Sequence, residues 1–484
     1  MHHDEFLNVA TIRQIEREAV AGGKALMPIA GMAAADFVMR RRRAGSQILI
    51  LVGPGNNGGD GLTAAAHLKA AGYEVTVWMP DQATSLPQPA AHAQSAWLAM
   101  GGTVTDKLPR HADLVIDALF GIGFNRPLNA FWSSLIDAVN ARRWPVLALD
   151  VPSGVYADTG HIDSSAIQAT WTLSFIAHAK GLLTGAARNV VGERHLADLG
   201  LGVLDALRAD VTTSDQVSSS IRLHRQPDSH KGSFGTIRVI GGAKGMVGAA
   251  LLAGRAALHA GAGKVLIDCL TSDTPLVDCM QPELMIRGGH AEAADIADVL
   301  LVGPGLGRLD GAERVVAMAL AAETILVLDA DALNLIASHS HLMQQLVQRR
   351  IATILTPHPA EAARLLQTDT ATVQRDRFAA ARQLARQTAS VVVLKGAGTI
   401  IAHQTQLSVN KSGSPALANA GQGDILGGII SALAGQHCSA WEAANLGCLI
   451  HGQASDALLR QRPRLVTPAS DVLVEAGFLL ADYA

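Results

Sequence analysis

The stretch QILILVGPGNNGGDGL, residues 47–62, predicts a strand, a glycine-rich turn and the start of a helix. Its apolar run shows almost no polar–apolar alternation, which is typical of a strand buried on both faces of a parallel sheet. Gly53, Gly55 and Gly58 have the spacing of the dinucleotide-binding fingerprint. The stretch therefore predicts a doubly wound α/β fold for the first half of the chain.

Three hypotheses compete for the function of this turn. In the first, its backbone N–H groups hold a pyrophosphate and Asp81 binds the ribose. Against it, Asn56, Asn57 and Asp60 put side chains, one of them anionic, where the pyrophosphate would lie. In the second, the turn has no chemistry. In the third, its Asn and Asp side chains bind hydroxyl or amide groups, with or without a metal ion. The residues alone leave this choice open.

The rest of the chain predicts two α/β domains. Further strands are expected in the first half at 74–79, 112–119, 145–151 and 170–177, and in the second at 236–242, 264–270, 298–305, 324–331, 352–358 and 390–396. Helices are expected around 421–435 and 440–459. The stretch 205–222 is polar and rich in Ser and Thr, which favours a linker. We therefore expect one domain at 1–212 and a second at 220–484.

The composition excludes several classes of protein. Hydrophobic residues make up 49% of the 484 residues and charged residues 17%, which is enough apolar material for two cores. The net charge of −3 gives no reason to expect nucleic acid or a membrane surface as partner. Four cysteines without metal-ligand spacing fit a reducing compartment, and no apolar run is long enough to span a bilayer. We expect a cytoplasmic protein.

Polar side chains follow further predicted strands of the first half. Asp117 lies in DALFGIG, and Asp150 and Ser153 lie in DVPSG. Ligands bind at the carboxyl ends of the strands in sheets of this kind. Hard oxygen ligands are supplied by Asn57, Asp117 and Ser153 together, and such ligands suit an alkali or alkaline-earth cation rather than zinc. The pattern predicts a binding site at this edge of the sheet.

The second half contains a pattern typical of phosphoryl transfer. In AGQGDILGGII (420–430), Gly421 and Gly423 precede a helical run, which leaves backbone N–H groups free to bind an anion. Asp424 is placed to accept the proton of an attacking hydroxyl. Lys395 in LKGAGT and His358 in TPHPAEAARLL lie at two other strand ends, and GPGLG (303–307) and DADALN (329–334) complete the set.

These motifs resemble a known family. NNGGDG, DALFGIG and DVPSG with GLLTG behind it are similar to the N-terminal, Rossmann-like domain of the NAD(P)H-hydrate repair enzymes, which epimerises hydrated nicotinamide cofactors. The resemblance implies catalysis by Asp150 and Lys180, although this lysine is displaced by one place from the family pattern. It implies K⁺ bound by Asn57, Asp117 and Ser153. The hydrate would be bound by Asn56, Asn57, Gly58, Gly59, Asp60, Gly121, Ile122, Gly123, Phe124, Asn125, Arg126, Pro127 and Asp150.

The second half resembles the ribokinase-like ADP- or ATP-dependent dehydratases of the same family. The resemblance implies that ADP with Mg²⁺ phosphorylates the hydroxyl of the S hydrate, NADHX or NADPHX, with Asp424 as base. The hydrate would be bound by Ala249, Gly307, His358 and Asp424, and the nucleotide by Lys395, Gly396, Ala397, Gly398, Thr399 and Gly423. In GSPALANAGQGD (413–424) several positions depart from the family pattern. A homo-oligomer is also expected.

Two other functions stay open at the level of residues. A ribokinase-like small-molecule kinase with an N-terminal binding module would explain the second half and leave the first without an activity. A nicotinamide-dependent oxidoreductase would require tight binding of intact NAD, which the acidic turn disfavours.

Overall fold

The computed structural model describes residues 6–80, 86–201, 210–288, 297–307 and 311–484. Asp81 lies outside the described residues. The chain divides into two compact units, Met1–Val211 and Thr212–Ala484.

The first unit is built on a parallel sheet. In its described residues the sheet has seven strands in the order β4-β3-β2-β5-β6-β7-β9, all in parallel pairs, and β1 pairs separately with β8. The elements are β1 (Phe6–Leu7), α1 (Val9–Ala21), α2 (Leu26–Met39), β2 (Gln47–Val52), α3 (Asn56–Ala70), β3 (Glu74–Trp78), α4 (Gln88–Ala99), β4 (Val104–Thr105), β5 (Leu114–Ala118), α5 (Ala130–Ala141), β6 (Val146–Leu149), β7 (Trp171–Phe175), β8 (His178–Ala179) and β9 (Glu193–Ala197).

Strand β2 is buried on both faces, as its sequence predicts. Ile48, Ile50 and Val52 belong to the hydrophobic core on one side of the sheet, and Leu49 and Leu51 belong to the core on the other. Successive side chains of a strand point to opposite faces, so a continuous apolar run is needed where helices cover both. The Rossmann-like, doubly wound fold expected for the first half is confirmed.

The second unit contains a larger, mixed sheet. Its described strands lie in the order β10-β19-β18-β17-β16-β15-β14-β11-β12-β13, with β18 antiparallel to both neighbours. The elements are β10 (Thr212–Thr213), α6 (Ser214–Ser218), β11 (Thr236–Gly241), α7 (Val247–His259), β12 (Lys264–Cys269), β13 (Met285–Gly288), β14 (Val299–Val302), α8 (Ala312–Ala321), β15 (Ile325–Leu328), α9 (Ala330–Ser338), α10 (Ser340–Gln348), β16 (Thr353–Leu355), α11 (Pro359–Leu365), α12 (Thr370–Arg375), α13 (Arg377–Thr388), β17 (Val391–Leu394), β18 (Ile400–His403), β19 (Gln406–Val409), α14 (Gln422–Gly435), α15 (Ala440–Gln461) and α16 (Ala469–Leu480).

The polar stretch expected to be a linker is partly structured. Thr212 and Thr213 form β10, which pairs in parallel with β19, and α6 follows directly. The Thr212 hydroxyl also donates to the Leu407 carbonyl (3.0 Å). The second unit therefore begins before residue 220, because a short polar strand at the sheet edge is held by backbone pairing that hydrophobic patterning does not reveal.

None of the helices in the described residues is long and apolar enough to cross a membrane.

Helix α14, which follows the glycine-rich motif, packs tightly on α7. A Cβ atom at Gly428 would overlap the backbone carbonyl of Ala253. At the adjacent Gly427, a Cβ atom would meet the flexible end of the Leu301 side chain, with Cδ1 at 3.2 Å and Cδ2 at 3.5 Å. The two glycines thus differ in whether the neighbouring atom can move.

We predict that Gly428→Ala lowers the free energy of unfolding of the second unit by about 1–3 kcal/mol, because a backbone carbonyl cannot move aside cheaply. Gly427→Ala is the matched control, since it makes the same change in the same helix. Its gain in helix propensity, about 1 kcal/mol, offsets a small shift of Leu301. Urea unfolding of the full chain, followed by circular dichroism, measures both, and equal midpoints would contradict the prediction.

Candidate active sites

The first unit has a cavity of about 830 Å³ at the carboxyl ends of β2, β5, β6 and β7. Helices α1 and α2 supply its other wall. Of the residues predicted to bind the hydrate, those that line the cavity are Asn56, Asn57, Asp60, Gly121, Ile122, Gly123, Phe124, Asn125, Arg126 and Asp150. Gly58, Gly59 and Pro127 are not among the lining residues.

Close backbone packing fixes the glycine-rich turn. A Cβ atom at Gly53 would overlap the Leu119 carbonyl, and one at Gly58 would overlap the Gly53 carbonyl. Helix α3 therefore begins directly against the ends of β2 and β5, with Asn56 and Asn57 in its first turn. The Asn57 side chain is buried, and its Oδ1 atom has no hydrogen-bond partner among the residues that the structure describes. A buried acceptor of this kind is able to bind a cation or a hydrogen-bond donor of a ligand.

Asp117 lies beneath the cavity at the end of β5. Its carboxylate accepts hydrogen bonds from the backbone N–H (2.8 Å) and hydroxyl (2.7 Å) of Ser153 and from the Leu119 N–H (3.2 Å). Burial raises its pKa to about 6, against these hydrogen bonds. Within the described chain no three His, Cys, Asp or Glu side chains converge as a metal cluster. Asn57, Asp117 and Ser153 carry the hard oxygen donors that the predicted alkali cation would take, and the Ser153 hydroxyl already donates to the Asp117 carboxylate.

Asp150 occupies a strained turn at the end of β6. Its φ is +70°, and the Val151 N–H donates across it to the Leu149 carbonyl (2.8 Å), which forms a γ-turn. The Ile122 N–H donates to its Oδ2 atom (2.8 Å), and a Cβ atom at Gly121 would lie only 2.7 Å from that oxygen. Non-glycine residues in this region of φ cluster at functional sites. The turn directs the carboxylate into the cavity.

A second turn of the same kind follows the neighbouring strand. Ile176 has a φ of +69°, and the Ala177 N–H donates to the Phe175 carbonyl (2.8 Å). A β-branched residue in this conformation is rare. Phe175 and Ile176 both line the cavity, so two adjacent strands end in strained turns at its floor.

Both aspartates of the cavity have pKa values above the ordinary value of an aspartate. Burial raises the pKa of Asp150 to about 6, with the Ile122 hydrogen bond acting against it. Burial raises the pKa of Asp60 well above its ordinary value, and the negative charges of Asp150 and Glu16 raise it further. No hydrogen bond to the Asp60 carboxyl is present in the described part of the chain. Titratable pairs whose pKa values are pushed apart supply an acid and a base.

Three residues at the edge of this site depart from the expectations. Lys180, expected to be catalytic, lies in the 3₁₀ helix Lys180–Leu183 and is not among the residues that line the cavity. Arg13 and Glu16 of α1 do line it, and the sequence analysis did not select them. Arg13 and Glu16 are three residues apart and therefore lie on one face of the helix. Charged residues at this spacing occur on most surface helices, so the spacing alone does not indicate a site.

In the second unit, predicted nucleotide-binding residues meet around a buried ion pair. Lys395 Nζ lies 2.6 Å from Asp329 Oδ1, which also accepts a hydrogen bond from the Thr356 hydroxyl (2.8 Å). A Cβ atom at Gly423 would lie 3.4 Å from Lys395 Nζ and 3.5 Å from Asp329 Oδ2. Asp329 belongs to DADALN, for which no specific role was predicted. The ends of β15 and β17 and the start of α14 thus form one site.

Asp424 lies in the first turn of α14, beside this ion pair. The helix begins after Gly421, whose φ is +88°, and no side chain in the described residues caps it. Burial raises the pKa of Asp424 to about 7, the charge of Asp329 raises it further, and Lys395 opposes the shift. An aspartate with a pKa near neutrality beside uncapped N–H groups suits a general base next to an anion site.

His358 is held in one tautomer by the start of α11. Its Nδ1 atom accepts from the backbone N–H groups of Ala360 (3.1 Å) and Glu361 (3.3 Å), so its Nε2 atom carries the hydrogen. Nε2 lies 3.2 Å from Glu361 Oε1, and Glu361 Oε2 accepts from the His358 N–H (2.8 Å). Burial raises the pKa of Glu361 to about 7. Glu361 therefore fixes His358, a role that sequence reasoning did not assign.

The remaining predicted residues surround this centre. A Cβ atom at Gly305 would lie 3.2 Å from the Ala249 Cβ, and the Gly307 N–H donates to Asp331 (2.9 Å). In the loop of residues 396–399, Gly396 and Gly398 have positive φ, and Thr399 donates to the Gly396 carbonyl (3.1 Å). The strand–turn–strand structure expected for LKGAGT is confirmed by β17 and β18.

Arg377 supports the loop of residues 396–399 from behind. The guanidinium is buried, and its Nη2 atom donates to the Leu394 and Lys395 carbonyls, both at 3.2 Å. Burial lowers its pKa to about 10. A fixed guanidinium orients the end of β17 and therefore the Lys395 side chain.

These features define a class of protein. It is a two-domain enzyme in which a Rossmann-like unit carries an acidic cavity and a ribokinase-like unit carries an aspartate at a helix start. Residues 23–181 match the model of the YjeF-related protein N-terminus, and residues 237–475 match that of NAD(P)H-hydrate dehydratase.

Whole-length relatives give the family. The bifunctional NAD(P)H-hydrate repair enzyme Nnr of Escherichia coli K12 is 38% identical over 92% of this chain and 88% of its own length. The Nnr of Coxiella burnetii is also 38% identical, over 92% and 93%. The structure of the Bacillus subtilis ADP/ATP-dependent NAD(P)H-hydrate dehydratase, co-crystallised with ATP and Mg²⁺, covers 57% of this chain and 99% of its own, at 28% identity and a TM-score of 0.50. The chain belongs to the family of bifunctional NAD(P)H-hydrate repair enzymes.

Proposed function

We propose that the chain restores hydrated NADH and NADPH, epimerising the R and S hydrates in its first unit and dehydrating the S hydrate in its second. The observation that carries this proposal is the position of Asp424, a half-buried base at the uncapped start of α14 beside the Lys395–Asp329 pair. That arrangement suits deprotonation of a hydroxyl that attacks a phosphorus atom. The separate acidic cavity of the first unit supplies the second activity.

In the first unit, Asp60 and Asp150 would act as an acid–base pair. Asp60, whose pKa burial raises well above its ordinary value, gives its proton to the ring hydroxyl as the C–O bond breaks and the ring nitrogen lone pair forms an iminium. Water adds to the opposite face of the same carbon, and ionised Asp150 removes its proton. Lys180 has no part in this scheme, because it does not line the cavity.

The oxygen atoms of Asn57, Asp117 and Ser153 would hold K⁺, and the unpaired Asn57 Oδ1 atom supports this assignment. Bound there, K⁺ would supply a fixed positive charge beside the substrate. The segment 121–123, which lines the cavity beside Asp150, would help to orient the ring.

In the second unit, Asp424 would remove the proton from the hydroxyl of the S hydrate, which then attacks the terminal phosphorus of ADP and releases AMP. The ring nitrogen lone pair next expels phosphate, and loss of a proton from the neighbouring carbon restores the reduced ring. Lys395 to Thr399 and Gly423 would bind the nucleotide, while Ala249, Gly307 and His358 would bind the hydrate. Mg²⁺ would neutralise phosphate charge.

Other expectations are part of the same proposal. We assign the epimerase to the unit Met1–Val211 and the dehydratase to the unit Thr212–Ala484. ADP is the expected donor, with ATP as the alternative. We also expect a cytoplasmic homo-oligomer with no nucleic-acid partner.

The direct test mixes purified protein, Mg²⁺ and K⁺ with both NADHX epimers and follows the return of reduced-nicotinamide absorbance, with ADP, with ATP and with neither. Full recovery that requires a nucleotide supports both activities and identifies the donor. Recovery that stops at the S fraction would contradict the epimerase proposal, and no recovery with either nucleotide would contradict the function as a whole.

We predict that Asp150→Asn slows epimerisation about 100-fold or more, because an amide cannot accept the proton. Asn tolerates positive φ, so the γ-turn is kept. Dehydration of the pure S hydrate by the same variant is the internal control and stays unchanged. Asp106→Asn removes an exposed carboxylate of the same unit outside the cavity lining and leaves both rates unchanged; an Asp150→Asn protein as fast as the wild type would refute the assignment.

The pH profile of epimerisation gives an independent prediction. The rate rises as Asp150 loses its proton near its pKa of about 6 and falls again at higher pH, where Asp60 loses the proton it must donate. The two limbs belong to the coupled pair rather than to either residue. In Asp60→Asn the remaining activity lacks the falling limb. A profile without a maximum would contradict the acid–base pair.

Dehydration has a different expected profile. Burial holds the pKa of Asp424 at about 7, so the base is protonated in acid and the dehydration rate rises through that pH to a plateau. Asp424→Asn lowers the rate about 100-fold or more at every pH. Epimerisation by this variant is the matched control and is unaffected. Stopped-time chromatography of the two epimers measures both rates in one sample, and a variant that still dehydrates would exclude Asp424 as the base.

A further inference from the structure

The proposed function leaves open where the first unit holds the diphosphate of its substrate. In dinucleotide-binding folds the glycine-rich turn usually carries it at the start of the next helix. Here that helix start presents Asn56 and Asn57, and Asp60 follows one turn later. These groups face the hydrated ring in the proposed reaction. The diphosphate therefore needs another partner in the same cavity.

The cationic residues of the cavity lie at its mouth. Arg13, Lys24 and Arg126 line it and are exposed, whereas Asp60 and Asp150 are half-buried. Lys24 Nζ donates to the Gly200 carbonyl (2.8 Å). Neither Arg13 nor Arg126 makes a side-chain hydrogen bond or ion pair within the described ranges of the chain. Two guanidinium groups without carboxylate partners at the rim of one cavity suit a multiply charged anion.

The packing of α1 holds Arg13 at this rim. Ile12 and Ile15 are buried in the core below the helix, which fixes its rotation. Arg13 and Glu16 are then three residues apart on the face that lines the cavity. A Cβ atom at Gly123 would lie 2.7 Å from the Arg13 Nη2 atom. Arg13 therefore packs against the segment 121–127, which also carries Arg126.

We infer that Arg13, together with Arg126, binds the diphosphate of the dinucleotide, so that the cavity holds the charged bridge at its mouth and the hydrated ring at its floor. The inference rests on the proposed function for the identity of the substrate. A guanidinium binds two phosphate oxygens through parallel N–H groups, and two such groups match the two phosphates. The separation of cations from carboxylates sets the direction in which the substrate enters.

Arg13 could instead act only through its charge on Asp150, and the two roles give different results. A diphosphate ligand affects KM and the binding of any molecule with the diphosphate, and leaves the pH profile of kcat in place. A purely electrostatic role shifts the rising limb of the pH profile and leaves KM unchanged.

The test compares Arg13→Ala with Arg17→Ala, which removes the same charge from an exposed position of α1 outside the cavity lining. Epimerisation of NADHX is followed without nucleotide, with ADP-ribose as an inhibitor that carries the diphosphate but no nicotinamide ring. We expect Arg13→Ala to raise the KM and the inhibition constant of ADP-ribose about tenfold or more, as for loss of a charge-assisted hydrogen bond. Arg13→Lys restores part of the affinity, and Arg17→Ala matches the wild type.

Equal constants for Arg13→Ala and Arg17→Ala would overturn the inference, as would a change confined to the pH profile. If the wild type does not epimerise, the proposed function fails separately, and calorimetric binding of ADP-ribose to the same proteins still decides. Binding in the second unit is common to all variants, so a difference between Arg13→Ala and Arg17→Ala reports the cavity alone. The absence of such a difference would then refute the diphosphate site.

Discussion

Both active sites depend on a glycine that lets two strand ends approach within backbone contact. Gly53, after β2, leaves no room for a Cβ atom against the Leu119 carbonyl, and Gly303, after β14, leaves none against the Asp329 carbonyl. Gly53 and Gly303 are each the first of the two glycines in a VGPG sequence. The flanking sequences differ, but the constraint is the same: the loops after two neighbouring strands must share one small volume. Any side chain at either position would push those loops apart.

In each unit, this close approach of the loops buries a carboxylate at the end of a strand. At the end of β5, Asp117 is buried against Ser153, and at the end of β15 Asp329 is buried against Lys395. Burial disfavours the charged form of a carboxylate, and neighbouring charges shift its pKa further. In the first unit, burial raises the pKa values of Asp60, Asp117 and Asp150. In the second, the Lys395–Asp329 pair lies beside Asp424, whose pKa burial raises to about 7.

The sequence predicts the parts of this arrangement that depend on local patterns. The unbroken apolar runs predict the strands, and the motifs around Asp150 and Asp424 predict which strand ends carry chemistry. It does not predict β10, because a two-residue polar strand is held only by its partner β19. Nor does it select Arg13, which contacts the distant residue 123, or Glu361, whose contact with His358 is local but whose burial the sequence does not show. The sequence also does not predict the positive φ of Asp150, because an aspartate, unlike a glycine, is not a sign of positive φ.

The glycine pattern of residues 53–58 thus has a structural cause that is independent of phosphate binding. Gly53 and Gly58 allow the turn to pack on itself and on the end of β5, and a Cβ atom at Gly61 would lie 2.6 Å from the Ala118 Cβ. The same spacing that elsewhere brings a pyrophosphate to the helix start here brings α3 against the sheet. With two amides and a carboxyl of raised pKa at the helix start, this end of the cavity suits a neutral, hydroxylated ring. A diphosphate then has to be held by cations from other elements, and α1 and the segment 121–127 are the elements of the cavity that supply unpaired guanidinium groups.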